Sequence, residues 1–482
     1  MNYGIVTKVL GILLILESAG MVPPFLISAF TGGNDFMGFL YSIILTFFIG
    51  FAMYKVPNNK KNIRAREALS IVSIGWILIS FFGALPFIFS GSIPSMVDAF
   101  FEMVSGFTTT GATIIDDIEV LPMGILFWRS FSHWIGGMGI IVFTVAILPA
   151  LGVGSFQIFK AESPGPTADR IVPRIKDTAK ILYVVYIGIT ILEIILLKLG
   201  GMTLYESFIH TFGTVGTGGF STRNGSIGAF NSSYINIVIS IFMVMSGINF
   251  SLYYQLFKGK WRDVFKNEEL RLYLGIILVS VILITVNIYK SIYSNFGESL
   301  QHSFFQVSSI ITTTGYGTAD FDKWTTFSKS ILFMLMFVGG CAGSTGGSIK
   351  NIRILVLIKL VKRETYKIFH PRSVVPIKVN ERALSTDVVL SIASFFALYM
   401  LIFVLGTIVI SLEGIGLVSS ASSVAATLGN IGPGFGFVGP THTYSGFSNA
   451  SKMLFSFFML FGRLELFTML VMFNPKFWKA EI

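Results

Sequence analysis

The sequence predicts an all-α polytopic membrane protein: two accessory helices, then four pseudo-symmetric helix–pore loop–helix repeats around a central pathway. Three observations carry this. Of 482 residues, 53% are hydrophobic and only 12% are charged, with a mean hydropathy of +0.75, against about 25% charged in soluble domains. Apolar runs of spanning length recur along the whole chain. Between certain pairs of runs lies a shorter amphipathic stretch ending in a Thr/Gly cluster, and this happens four times.

The runs fall near 4–30, 37–54, 68–91, 122–150, 180–199, 234–257, 272–292, 327–361, 385–412 and 450–474, ten spans with the eighth interrupted. The first contains Glu17 and lacks a basic leader and a small-residue cleavage site, so it reads as a retained helix bent at Pro23 and Pro24. With the second run it forms an accessory pair, 1–54. The repeats that follow are 68–150, 177–257, 268–361 and 385–474.

Connections alternate in charge. Segments 54–67, 155–182, 256–271 and 357–382 hold 22 of the 35 Lys and Arg. The intervening connections hold only Arg223 and Lys323, against nine Asp or Glu. The positive-inside rule makes the first set, and with it both termini, cytoplasmic in a multi-pass cell-membrane protein. The acidic opposite face raises the local concentration of cations. The basic residues lie in short loops between apolar runs, which argues against nucleic acid as a partner. The single cysteine, Cys341, excludes internal disulfides and cysteine-based metal clusters, and the five histidines stand singly.

The four clusters read "AFFEMVSGFTTTGAT", "SFIHTFGTVGTGGFS", "SFFQVSSIITTTGYG" and "SSASSVAATLGNIGPG". Aligned, they superpose Gly111, Gly218, Gly315 and Gly432, separated by 107, 97 and 117 residues. The helices that follow carry a second matching set: Gly137, Gly247, Gly340 and Gly462. A period near one hundred residues is an internal repeat. The amphipathic stretches are too short to cross a bilayer, so they read as re-entrant. Non-helical backbone at membrane depth must be buried in protein or line a wet cavity. Glycine admits positive φ, letting successive carbonyls point one way, and threonine adds hydroxyl oxygens without bulk. A ring of such oxygens replaces the hydration shell of a potassium ion. The candidate filter is therefore Thr109, Thr110 and Gly111; Gly216, Thr217 and Gly218; Thr313, Thr314 and Gly315; and Asn430, Ile431 and Gly432. The second and fourth clusters are the weaker matches, which leaves a non-conducting quarter open. Potassium enters as transported ion, and no covalent cofactor is expected.

These clusters, with "WRSFSHWIGGMGIIVFTVAILP" (128–149), "ESPGPTADRIVPRIKDTAK" (162–180), "GGCAGSTGGSIKNIR" (339–353) and "GRLE" (462–465), resemble the Trk/Ktr/HKT superfamily of potassium transporters, over nearly the whole chain. The two extra N-terminal helices favour the TrkH-type membrane subunit over the shorter Ktr type. In plant relatives a serine at the first filter glycine accompanies sodium transport; Gly111 resembles the potassium pattern. The resemblance implies a homodimer and a docked ring of cytosolic nucleotide-binding regulatory subunits (TrkA-like). The longest inward connections, 359–372 and 162–180, are the expected docking segments.

Two features depart from a simple pore. The eighth span breaks after residue 338 into "GGCAGSTGGS", where Gly339, Gly340, Gly343, Gly346 and Gly347 cluster 24 to 32 residues past the Gly315 turn. A broken helix at this depth lines a permeation path, and the segment reads as a movable flap under the filter or as static small-residue packing. It is no nucleotide site, because Lys350 comes three residues after Gly347. Likewise "GFGFVG" (434–439) lacks a βαβ context. Arg463 is the second departure, midway along the last span. An intramembrane arginine costs roughly 2.5–3.5 kcal/mol on insertion scales. It reads as a partner of Glu465, as a partner of carbonyls freed by the broken helix, or as a positive charge beside the pore. Arg129 and His133 are expected to anchor their helix near the outer surface without a transport role. An enzymatic reading finds mid-span acids such as Glu17 and Glu193, outside the repeat turns. A sodium-conducting or sodium-coupled transporter of the same architecture remains the rival.

Overall fold

The computed structural model describes residues 1–57, 63–139 and 175–478. The stretch 162–174, within one expected docking segment, lies outside the described residues. The first span is a helix, Tyr3–Gly20, that hands over at Met21 to a second, Val22–Thr31, with the prolines in its first turn. There the missing N–H is an orphan in any case. Phe36–Tyr54 returns across the bundle. A Cβ added to Gly11 would sit 2.6 Å from the Gly50 carbonyl oxygen, so the absence of side chains is what lets these two backbones meet.

Each of the four units then supplies an outer helix, a short pore helix and an inner helix. The outer helices are Ala65–Gly83, Ile175–Leu199, Glu268–Ile288 and Thr386–Ile410. The pore helices are Met96–Phe107, Leu204–Val215, Phe296–Ile311 and Leu417–Leu428. At 12 to 16 residues they are too short to cross. Three begin at a side chain that caps the first free N–H groups: Ser95, Thr203 (in a capping box with Glu206) and Asn295. Exposed apolar side chains such as Leu199, Val286 and Leu401 line the outer helices, as a lipid-facing surface requires.

The inner helices correct the expectation of one interrupted span, because breaks recur from unit to unit. Met123–Gly137 ends just before Gly139 at φ +67°, and residues 140–150 of that expected span lie outside the described residues. Ser233–Ser246 and Phe250–Phe257 meet at a 94° bend. Thr326–Val338 and Asn351–Phe369 are separated by residues 339–350. Asn449–Leu464 stops at Glu465, at φ +66°. Among the described residues only six helices are long and apolar enough to cross, or seven if the bent pair is one span. Hydropathy continues straight through a break because both halves are apolar, so the sequence hides it. A two-residue hairpin, Lys378–Val379 with Arg382–Ala383, lies between the third and fourth units.

Candidate ion pathway

Every pore helix ends in the same turn. Thr109, Thr217, Thr313 and Asn430 are left-handed, with φ of 55°, 57°, 61° and 54°. The next residue donates its N–H five residues back: Thr110 to Ser105, Gly218 to Gly213, Thr314 to Ser309 and Ile431 to Ala426, at 2.8–2.9 Å. This is the Schellman closure, normally built on glycine at the left-handed position. A β-branched residue there is a conformational outlier, and such strain collects at functional sites. Two residues after each left-handed residue comes a glycine that is also positive: Gly111 at 79°, Gly219 at 78°, Gly315 at 84° and Gly432 at 97°.

This fixes the register and shifts one expectation by a residue. Gly219, not Gly218, is the counterpart of Gly111, and Gly216 corresponds to Thr108 at the helix cap. The true spacings are 108, 96 and 117. Gly218 belongs to the turn through its carbonyl. The four turns close on one another in sequence. A Cβ on Gly111 would run into the Gly218 carbonyl oxygen, one on Gly219 into that of Thr314, and one on Gly315 into that of Ile431. One on Gly432 would lie 2.7 Å from the Thr110 carbonyl oxygen. Each glycine thus makes room for the carbonyl of the unit after it, and the fourth returns to the first: a closed ring of backbone oxygens. The negative ends of four pore-helix dipoles stop at this ring, which favours a cation there. All twelve expected filter residues are in or directly beside it.

Side chains brace the ring. Thr108 and Thr110 hydroxyls pair at 2.8 Å, as do those of Thr312 and Thr314. Asn430, where the other units have threonine, donates its amide to Thr110 Oγ1 at 2.9 Å and to the Met459 carbonyl at 2.8 Å. Two tyrosines that the sequence reading passed over hold the ring from behind. Tyr316 donates to the His210 and Phe220 carbonyls, and Tyr444 to the Gly432 carbonyl at 2.9 Å. Arg129 and His133 are not surface anchors. Both are fully buried beside the ring, Arg129 paired with Glu102 at 2.7 Å and His133 Nδ1 donating to the Gly106 carbonyl at 2.7 Å. Their position within an apolar run does not say which helix face is packed against protein, so the sequence left their burial unread.

Directly below runs the segment 339–350. Gly347 N donates to Thr313 Oγ1 at 2.7 Å, so the segment touches the filter turn itself. A Cβ on Gly346 would be 3.0 Å from the Thr312 carbonyl oxygen. Other bonds come from the neighbouring inner helix: Cys341 N to the Gly247 carbonyl at 2.8 Å, Phe250 N to the Gly343 carbonyl at 3.0 Å, and Thr345 Oγ1 to the Ser246 carbonyl at 3.2 Å. Four residues have positive φ, Gly339, Gly343, Ser348 and Lys350, so the run cannot be a strained helix. Lys350 Nζ donates to the Gly346 carbonyl.

Arg463 lies among these elements. It donates to the Thr345 carbonyl at 2.8 Å, to the Gly136 carbonyl and to the Gly137 carbonyl at 2.9 Å, and approaches Thr109 Oγ1 at 3.5 Å. Glu465, the expected partner of Arg463, forms an ion pair with Arg353. The other reading, carbonyls freed by a broken helix, is what the contacts describe, with two broken helices supplying them. The gate candidates Gly339, Gly340, Gly343, Gly346, Gly347 and Arg463 are thus contiguous beneath the ring.

Fold and site together define a membrane protein with a four-unit pore-loop pathway for a small cation. The comparisons agree over the full length. Residues 35–480 match the TrkH family model, described as a cation transport protein. The Trk system potassium uptake protein TrkH of Escherichia coli (strain K12) is 40% identical over 490 residues, covering 99% of this chain and 100% of that one. TrkH of Halomonas elongata is 37% identical, with the same coverage. The crystal structure of the potassium transporter TrkH from Vibrio parahaemolyticus matches with a TM-score of 0.88 at 36% identity, over 99% of this chain and 100% of that chain. The chain belongs to the TrkH family of cation transport proteins. The family is one of transporters, not enzymes.

Proposed function

We propose that the protein takes up potassium through the ring of Thr109–Gly111, Thr217–Gly219, Thr313–Gly315 and Asn430–Gly432. The closed sequence of glycine against neighbouring carbonyl carries this reading, because it supplies backbone oxygens from all four units to one ion. The names of the relatives, potassium uptake proteins and a potassium transporter, support potassium over sodium. Segment 339–350 and Arg463 form the gate: flexible glycines place backbone under the ring, and a guanidinium in a region of low dielectric opposes a cation there. The units are 68–150, 177–257, 268–361 and 385–474, behind the accessory pair 1–54.

Both termini lie on the cytoplasmic side of the cell membrane, on the charge asymmetry of the connections. The assembly is a homodimer that docks a cytosolic nucleotide-binding regulatory subunit of the TrkA kind, a reading supported by the "Trk system" names of the relatives. The basic end of Asn351–Phe369, with Lys362 and Arg363, is the docking surface. The test of the main reading is isotope uptake by the purified protein in liposomes with competing sodium. Potassium influx down its gradient that tenfold sodium does not suppress is expected. Equal sodium influx would replace this reading with the sodium-conducting one.

A further inference from the structure

In each unit, the pore-helix residue seven before the left-handed turn residue lies behind the ring: Glu102, His210, Gln306 and Ser423. Two of the neutral ones bond the strand leaving the filter, His210 Nε2 with Ser221 Oγ at 3.0 Å and Gln306 Nε2 to the Ala319 carbonyl at 3.3 Å. Ser423 instead bonds its own helix, at the Ser420 carbonyl. Only the first unit places a charge at this position. The Glu102 carboxylate accepts from Thr113 Oγ1 at 3.0 and 3.1 Å and from Ile114 N at 3.0 Å, just past Gly111. Arg129 completes the pair and also donates to Thr113 Oγ1 at 3.2 Å.

The pair also reaches across the seam to the second unit. The Arg129 guanidinium lies 4.1 Å from the centre of the Phe220 ring, and Phe220 directly follows Gly219. His133, one turn on, packs against the same ring at 4.1 Å. A buried ion pair is costly to desolvate and adds little to stability over an apolar pair of equal volume. What it supplies is geometry: a planar guanidinium that stacks on an aromatic face while holding a carboxylate. Other seams carry neutral contacts near the ring, Tyr316 to the Phe220 carbonyl and Asn430 to Thr110, while Arg463 adds charged donors from the fourth unit to first-unit carbonyls just below it.

We propose that Glu102, Arg129 and Phe220 form a positioning element for ion selectivity, which sets the spacing between the carbonyls of the first and second units. The proposal rests on the filter reading of the four turns. None of the three is placed among the ion-binding oxygens, so the effect acts through Thr113, Ile114 and Gly219.

The test compares Phe220→Leu, the double variant Glu102→Gln with Arg129→Gln, and Gly315→Ser as a control, each purified and reconstituted in liposomes. Phe220→Leu keeps the ion pair intact, and the double variant leaves no uncompensated charge, so folding is protected in two different ways. Potassium over sodium preference is measured on monodisperse protein, together with total flux. A merely structural role lowers yield or flux and leaves the preference alone. Preference is expected to fall about threefold in Phe220→Leu and about tenfold in the double variant, the latter equivalent to about 1.4 kcal/mol. Wild-type preference in both, with preference lost in Gly315→Ser, overturns the proposal and keeps the filter. Wild-type preference in all three overturns the filter reading and the proposal with it. Failure of both variants to yield monodisperse protein assigns the three residues to stability alone and likewise overturns it.

Discussion

The ring and the segment directly below it use the same small residues, glycine, threonine and serine, yet they are held in opposite ways. Each ring turn is closed by its own pore helix, through the five-residue bond from Thr110, Gly218, Thr314 or Ile431. Each then leans on the next, so no turn can move without its neighbours. Segment 339–350 has a few internal bonds, Ser344 N to the Cys341 carbonyl, Lys350 Nζ to the Gly346 carbonyl and, at its ends, Asn351 N to the Gly340 carbonyl, but no helix of its own closes it as one closes each ring turn. Its other bonds go outward, to Gly247, Ser246, Thr313 and Arg463, which belong to other elements. A structure held by its own local bonds is rigid, and one held by contacts to several independent bodies can be released when one of them shifts. On the proposed reading, the same residue types serve selection in one layer and regulation in the next.

The comparison breaks most sharply at the ring glycines. Alanine at Gly111, Gly219 or Gly315 must adopt positive φ, at a cost of about 1–2 kcal/mol, and its methyl meets a neighbouring carbonyl. Loss of potassium preference by at least about tenfold is expected, measured as uptake against competing sodium. Gly432→Ala, with its contact at 2.7 Å, should lose least. Equal tolerance at all four positions would mean that the turns do not close on one another.

Below the ring, the expected effect is on rate. Removing residues 341–347 should raise flux severalfold while preference stays, since the ring is closed by its own helices. Unchanged flux in a correctly inserted deletion would make the segment packing alone.

Arg463→Ala comes next. If the guanidinium opposes permeation as proposed, its removal, which also releases the Thr345 carbonyl, should raise flux per folded protein. Arg463→Lys keeps the charge but cannot span the Thr345, Gly136 and Gly137 carbonyls together. Its flux should lie between wild type and alanine. An alanine variant that folds and conducts like wild type would end the idea of a pore charge.

The smallest effect is expected at the single bond between the layers. Thr313→Val removes the acceptor for Gly347 N–H and should loosen the segment by about 1 kcal/mol. A flux increase of a few-fold with little change in preference is the outcome to look for. A loss of preference instead would put the Thr313 hydroxyl among the ion ligands.

The membrane class, the four units and the approximate place of each turn followed from the sequence alone, because hydropathy and a period near one hundred residues need no knowledge of distant contacts. Glycine and threonine marked the ring for the same local reason. The register of the second unit did not follow. Gly216, Gly218 and Gly219 offer several positive-φ positions within four residues, and only the neighbouring carbonyls choose among them. Nor did the breaks in the other inner helices, which hydropathy cannot register, or the burial of Arg129 and His133. Arg463 stood out as a charge in an apolar run, but its partners lie more than one hundred residues away. Chemistry along the chain is local and legible; which distant carbonyl meets which side chain is decided by how the four units pack, and only the folded structure holds that.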